Sequence, residues 1–174
     1  FAAVSYFMLA GNTIVGALGQ SATPRLAKQF AVRESRTVHG LLFKLIGIGI
    51  VLGFIGWLVA VFFGSSLLAV LYTVDYASRA DLFSFLMLVA GINYVASFLG
   101  YSMTAMRYFK IQIPLFTFVT VASIVCCAIL VPSNGLTGAA QAMGIAALVQ
   151  LLGSGIINVH ALRSMRLSPK PAIT

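Results

Sequence analysis

The 174 residues are 60% apolar and only 8% charged, too little polar surface to cover a soluble domain of this length, so the bilayer is expected to act as the solvent. The net charge of +8 argues for lipid and against nucleic acid, because Lys and Arg gather at the ends of apolar stretches, where anionic head groups lie. Cys126 and Cys127 are adjacent, with no second Cys or His pair near them, and read as small packing residues rather than a disulfide or metal site.

Five apolar stretches are predicted to cross the membrane: 1–20, 41–63, 82–106, 111–131 and about 139–159. Each holds about 20 residues, and at about 1.5 Å per residue that matches a hydrocarbon core of roughly 30 Å. The expected fold is all-α, a polytopic transmembrane helix bundle of about five spans.

The first stretch carries Gly11, Asn12, Gly16 and Gly19, a small-residue face with one polar handle. After it, Thr23 and Pro24 read as an N-cap and first helical residue, starting an interfacial helix over about 24–36. Arg25, Lys28, Gln29, Arg33 and Arg36 share one face of that helix, with Leu26, Ala27, Phe30 and Ala31 opposite. In the second stretch Gly49, Gly53, Gly56, Ala60 and Gly64 repeat every three or four residues, a pattern for close helix approach, and Trp57 lies well inside. An apolar segment then leads to Thr73–Ala80, read as a short outer helix in which Asp75 and Arg79 can pair. Asn93, Ser97 and Tyr101 follow at a spacing of four, on one face of the third stretch. Such a stripe lines a wet cavity or supplies interhelical hydrogen bonds, and both readings stay open. Pro114 sits in the first turn of the fourth stretch, and Val131 to Gly135 form an outer turn. Ala140, Gly144, Gly153 and Gly155 give the last stretch its own small face.

Threaded this way, ten of the eleven Lys and Arg residues fall on one side, which the positive-inside rule makes cytoplasmic, together with the C-terminus. Arg79 is the exception, and Asp75 and Asp81 offset it. The start at Phe1, without Met or a flanking loop, implies a fragment preceded by further membrane helices.

With three acids and two histidines in all, and no phosphate loop, nucleophile elbow or zinc-protease motif, no catalytic residue, metal or cofactor is expected, and the chain reads as not an enzyme. No ionisable group lies near the middle of a stretch, so none of them offers a proton or sodium site. Lys44 is one turn inside the second stretch and can snorkel outward. The neutral polar candidates for a path are Asn12, Asn93, Tyr94, Ser97, Tyr101, Gln112, Thr117 and Thr120.

Three phrases in order carry a resemblance. They are Ser21-Ala22-Thr23-Pro24-Arg25-Leu26-Ala27 after Gly11-Asn12, then Leu71-Tyr72 with Asp75-Tyr76-Ala77, then Val131-Pro132-Ser133-Asn134-Gly135-Leu136-Thr137-Gly138-Ala139-Ala140. Together they resemble the polysaccharide biosynthesis or oligosaccharide flippase family, within the superfamily that includes multidrug and toxic compound extrusion transporters. Thr73 departs from the glycine often found after the Leu-Tyr pair. Members have twelve or more spans in two bundles, so the resemblance implies part of the C-terminal bundle of such a protein, with the N-terminal bundle missing. It implies movement of a polyprenyl-pyrophosphate-linked oligosaccharide from the cytoplasmic to the outer leaflet of a cell membrane by alternating access. Lys44, Arg107 and Lys110 would then attract the pyrophosphate at the cytoplasmic mouth, joining Asn12, Asn93, Ser97 and Tyr101 along the path. Polysaccharide polymerase or glycosyltransferases would be its partners. The alternatives are a cation-coupled multidrug exporter of the same superfamily and a non-transporting scaffold for polysaccharide assembly.

Overall fold

The computed structural model describes the backbone over residues 2–32, 35–71 and 80–167, with side chains over 9–32, 36–64 and 81–164. Four helices account for nearly all of it: α1 (Ala2–Ala31), α2 (Ser35–Leu71), α3 (Ala80–Ala105) and α4 (Phe109–Leu167). Among the described residues there is no strand. In hydrocarbon every backbone donor and acceptor must be satisfied within its own segment, so uninterrupted helices are the expected solution.

Among the described residues three segments are long and apolar enough to cross a membrane: Arg36–Gly64, Asp81–Ala105 and Phe109–Ser164. The last holds 56 residues, more than twice the roughly 20 that one crossing needs. Gly135 resolves the excess. Its φ of 56° and ψ of −126° interrupt α4, and the chain reverses there into two arms, 109–134 and 136–167. Gly138 lies against the Leu130 carbonyl and Gly153 against Leu115, so the arms run antiparallel. The turn expected from Val131 to Gly135 is thus tighter than its sequence implies, with a single non-helical residue.

Contacts along the chain give the remaining directions. Gly53 meets Gly91 and Gly49 meets Val95 and Phe98, which sets α2 antiparallel to α3. Gly11 meets Tyr94 and Gly19 meets Tyr101, so α1 runs parallel to α3. Val89 packs on Gly144 and Ser102 bonds to Asn158, so the second arm of α4 also runs parallel to α3. The helix α3 therefore forms the axis, and Phe98, Leu86 and Met103 on it are fully buried. Val15 and Leu26 of α1 and Val38, Leu42 and Leu45 of α2 close around it. The opposite faces carry exposed Phe43, Phe62, Ile113, Ile124, Leu152 and Ile156, an apolar exterior suited to lipid.

One expected boundary is absent. The helix break at Ser21–Pro24 does not occur: α1 runs through Pro24 to Ala31, and Thr23 does not cap a helix but donates its hydroxyl to the Gly19 carbonyl at 2.8 Å. Ser21 likewise donates to Leu18 O at 2.8 Å. A proline inside a membrane helix is tolerated where neighbouring helices pack around it. The segment expected to be a separate interfacial helix over 24–36 is divided between the end of α1 and the start of α2. The outer segment with Asp75 and Arg79, and Arg33 with Glu34, lie outside the described residues.

Candidate functional site

Asn12, Asn93, Ser123 and Gln150, from α1, α3 and the two arms of α4, converge on a cavity of about 210 Å³ that Val89, Met143, Ala146 and Ala147 complete. Asn93 lies midway along α3, Ser123 midway along the first arm and Gln150 midway along the second, so the cavity lies at mid-height of the bundle. The Asn93 amide donates to Asn12 Oδ1 at 3.4 Å, the long end of a hydrogen bond. Each of the four side chains is at least partly exposed, leaving donors and acceptors free to meet a polar guest. All four are neutral, as a site at this depth requires if it is not to bear the cost of a buried charge.

The face of α3 that bears Asn93 packs on α1. Tyr94 covers Gly11, where an added Cβ would stand 1.9 Å from its hydroxyl oxygen, and Tyr101 covers Gly19 at 2.2 Å. Of the predicted stripe, Asn93 therefore reaches the cavity, Tyr101 seals α3 against α1, and Ser97 is half-buried between them. Thr117 and Thr120 donate to their own helix, to Ile113 O and Phe116 O, and Gln112 exchanges bonds with Thr104 at the α3–α4 turn. None of these three lines the cavity.

A second polar group is buried outright. Asn158 accepts a hydrogen bond from the Ser102 hydroxyl and donates to Leu99 O at 3.1 Å and Ser154 O at 2.8 Å. All three polar residues, Ser102, Ser154 and Asn158, are at most 2% exposed, and the Ser154 hydroxyl has no partner. With its amide engaged on both sides, Asn158 locks the second arm of α4 to α3 rather than receiving a ligand. The available signal was that Asn158 and Gln150 are strongly polar within an apolar stretch; spacing alone does not say which neighbours they meet.

The cations divide into two groups. Lys44 lies with Arg25, Lys28, Gln29 and Thr37 around a pocket of about 310 Å³ between α1 and α2. Arg107 and Lys110 occupy the α3–α4 turn, away from it. Arg107 has φ of 60° and sits where glycine is usual, with Arg107 N–H donating to Thr104 O and Tyr108 N–H to Met103 O, both at 3.1 Å. The helix directions nevertheless bring Arg25, Lys28, Arg36, Lys44, Arg107, Lys110 and Arg163 to one end of the bundle, while Asp81 and Gly135 lie at the other.

With this geometry in hand, comparison with known proteins gives one informative relation. The chain is 23% identical over 157 residues to the capsular polysaccharide biosynthesis protein CapF of Staphylococcus aureus, an alignment covering 87% of this chain and 38% of that protein. The chain thus spans well under half the length of the relative it matches. No family model matches it. No solved structure matches it either. The relation supports a link to polysaccharide biosynthesis, and the three described segments long and apolar enough to cross a membrane are consistent with an integral membrane protein.

Proposed function

We propose that this chain is part of a flippase that moves a polyprenyl-pyrophosphate-linked oligosaccharide from the cytoplasmic to the outer leaflet of a cell membrane, without catalysing a reaction. The observation that carries the reading is the convergence of Asn12, Asn93, Ser123 and Gln150 on one mid-depth cavity. A sugar head group brings many hydroxyls, each costly to strip of water in hydrocarbon unless a partner replaces it. Neutral amides donate and accept at once and so offer that replacement without adding charge. The polyprenyl tail needs no passage, since it can stay in lipid beside the exposed apolar faces. At the cationic end Arg107, Lys110 and Lys44 draw the pyrophosphate toward the entrance. A second bundle completes the wall of the passage, and alternating access follows from the rocking of one bundle against the other. The similarity to CapF adds the link to polysaccharide assembly, in which polymerases or glycosyltransferases are the natural neighbours.

The test is transport by the intact gene product in proteoliposomes loaded with a short-chain, sugar-bearing polyprenyl pyrophosphate, scored by exposure of the sugar on the far leaflet. Asn93→Leu removes both a donor and an acceptor from the cavity, and a fall of about tenfold or more in the initial rate is expected. Transport undiminished in Asn93→Leu and Gln150→Leu would sink the reading. Export of a cationic dye without movement of the sugar lipid would transfer it to the multidrug alternative.

A further inference from the structure

The pocket between α1 and α2 lies apart from the mid-depth cavity, and its composition singles it out. Arg25 and Lys28 on the last turns of α1 and Lys44 on the early turns of α2 face one space of about 310 Å³, with Thr37 and Gln29 beside them. No ion pair joins any of the three cations to a carboxylate among the described residues, and the described carboxylate Asp81 is at the opposite end of the bundle. Three positive charges that share a pocket, none of them paired among the described residues, repel one another, and an anion between them turns that repulsion into attraction. Gln29 forms part of the pocket wall, with its carbonyl oxygen closed off from solvent.

We propose that this pocket binds the head group of an anionic phospholipid, with the phosphate held by Arg25, Lys28 and Lys44. A lipid fits better than a soluble phosphate because the site lies at the membrane boundary. Lys44 falls within the membrane-crossing segment Arg36–Gly64, Leu41 lines the pocket, and the neighbouring Phe43 is 70% exposed. A diacylglycerol tail leaves such a site directly along an apolar helix face. Lys28 and Lys44 contribute charge at the ends of flexible stems, and Arg25 presents a fork that matches two phosphate oxygens. The pocket is separate from the mid-depth cavity and shares only Lys44 with the cationic entrance, and a lipid bound here would fix the angle between α1 and α2.

The experiment is equilibrium binding of fluorescent phosphatidylglycerol and phosphatidylcholine to the intact gene product in detergent. Preference for phosphatidylglycerol of about tenfold or more is expected. R25Q/K28Q/K44Q should abolish that preference, and K28R/K44R should preserve it, which separates lost charge from lost folding. R163Q/R166Q/K170Q removes the same net charge from the C-terminal segment and should leave the preference intact. The proposal is overturned if the pocket triple variant keeps the preference or if the C-terminal triple variant loses it equally. It is also overturned if sodium phosphate at matched ionic strength displaces the lipid completely, which would reassign the site to a soluble phosphate. Sugar-lipid transport is scored separately, so failure here leaves the transport reading standing and the converse also holds.

Discussion

At the scale of single residues, Asn158 is the side chain whose loss the bundle should feel most. Its amide bonds to Leu99 O and Ser154 O while its oxygen accepts from Ser102, and Ser102, Ser154 and Asn158 are all buried. Asn158→Ala leaves the Ser102 hydroxyl and the Leu99 carbonyl without this partner, and a loss of about 2 kcal/mol is expected in unfolding measured in mixed micelles. Ser102→Ala removes one bond and should cost about 1 kcal/mol. Because the two residues share that bond, the double variant should cost less than the sum of the single ones; strict additivity would show that the contact carries no energy. Arg107 is the opposite case, a residue held at φ of 60° against its steric preference. Arg107→Gly should raise stability by about 1 kcal/mol. If the charge serves the entrance, the same variant should lower the transport rate, so that stability and activity move in opposite directions.

Among the elements, the crossings that matter are those with no room between backbones. An added Cβ on Gly53 would stand 2.5 Å from the Gly91 Cα, and one on Gly91 would stand 2.9 Å from the Gly53 Cα. Backbone cannot yield as a flexible side chain does, so Gly53→Ala and Gly91→Ala should each cost about 1–3 kcal/mol by forcing α2 from α3. Gly56 belongs to the same sequence pattern but has nothing within 4 Å of an added Cβ. Gly56→Ala should therefore stabilise α2 by about 1 kcal/mol through helix propensity alone, and thermal unfolding of the three variants side by side checks the contrast. That contrast also marks what was legible in the sequence. The small residues at repeated spacing were visible, and Gly11, Gly16 and Gly19 do meet Tyr94 and Tyr101. Which of them touch a neighbour was not, because spacing defines a face of one helix and says nothing of the helix opposite. Thr23 and Pro24 misled for a related reason. Their order is that of a helix start in water, but in a bundle the threonine can bond back to its own helix and the proline is carried through.

Across the whole molecule, the all-helical architecture was legible because about 20 consecutive apolar residues have few other uses. The mid-depth cavity was legible in part. Asn12 and Asn93 stand out as amides in apolar stretches, whereas Ser123 and Gln150 join them only once the reversal at Gly135 has set the arms of α4 beside α3. The same reversal decides the distribution of charge, since it returns Arg163 to the end that holds Arg25, Arg36 and Arg107 and leaves Gly135 at the end that holds Asp81. Lys and Arg resist transfer across hydrocarbon, so we expect the end rich in cations to face the cytoplasm. Single cysteines at Arg107 and at Asn134, in a background where Cys126 and Cys127 are replaced by alanine, test this directly in intact cells. An impermeant maleimide should label the site at 134 from outside and reach the one at 107 only after the membrane is opened. Labelling of both from outside would break the reading of the first arm of α4 as a membrane crossing, because these positions lie at its opposite ends. Labelling of 107 alone would keep the fold and invert it in the membrane, and with it the direction in which a sugar lipid would be moved.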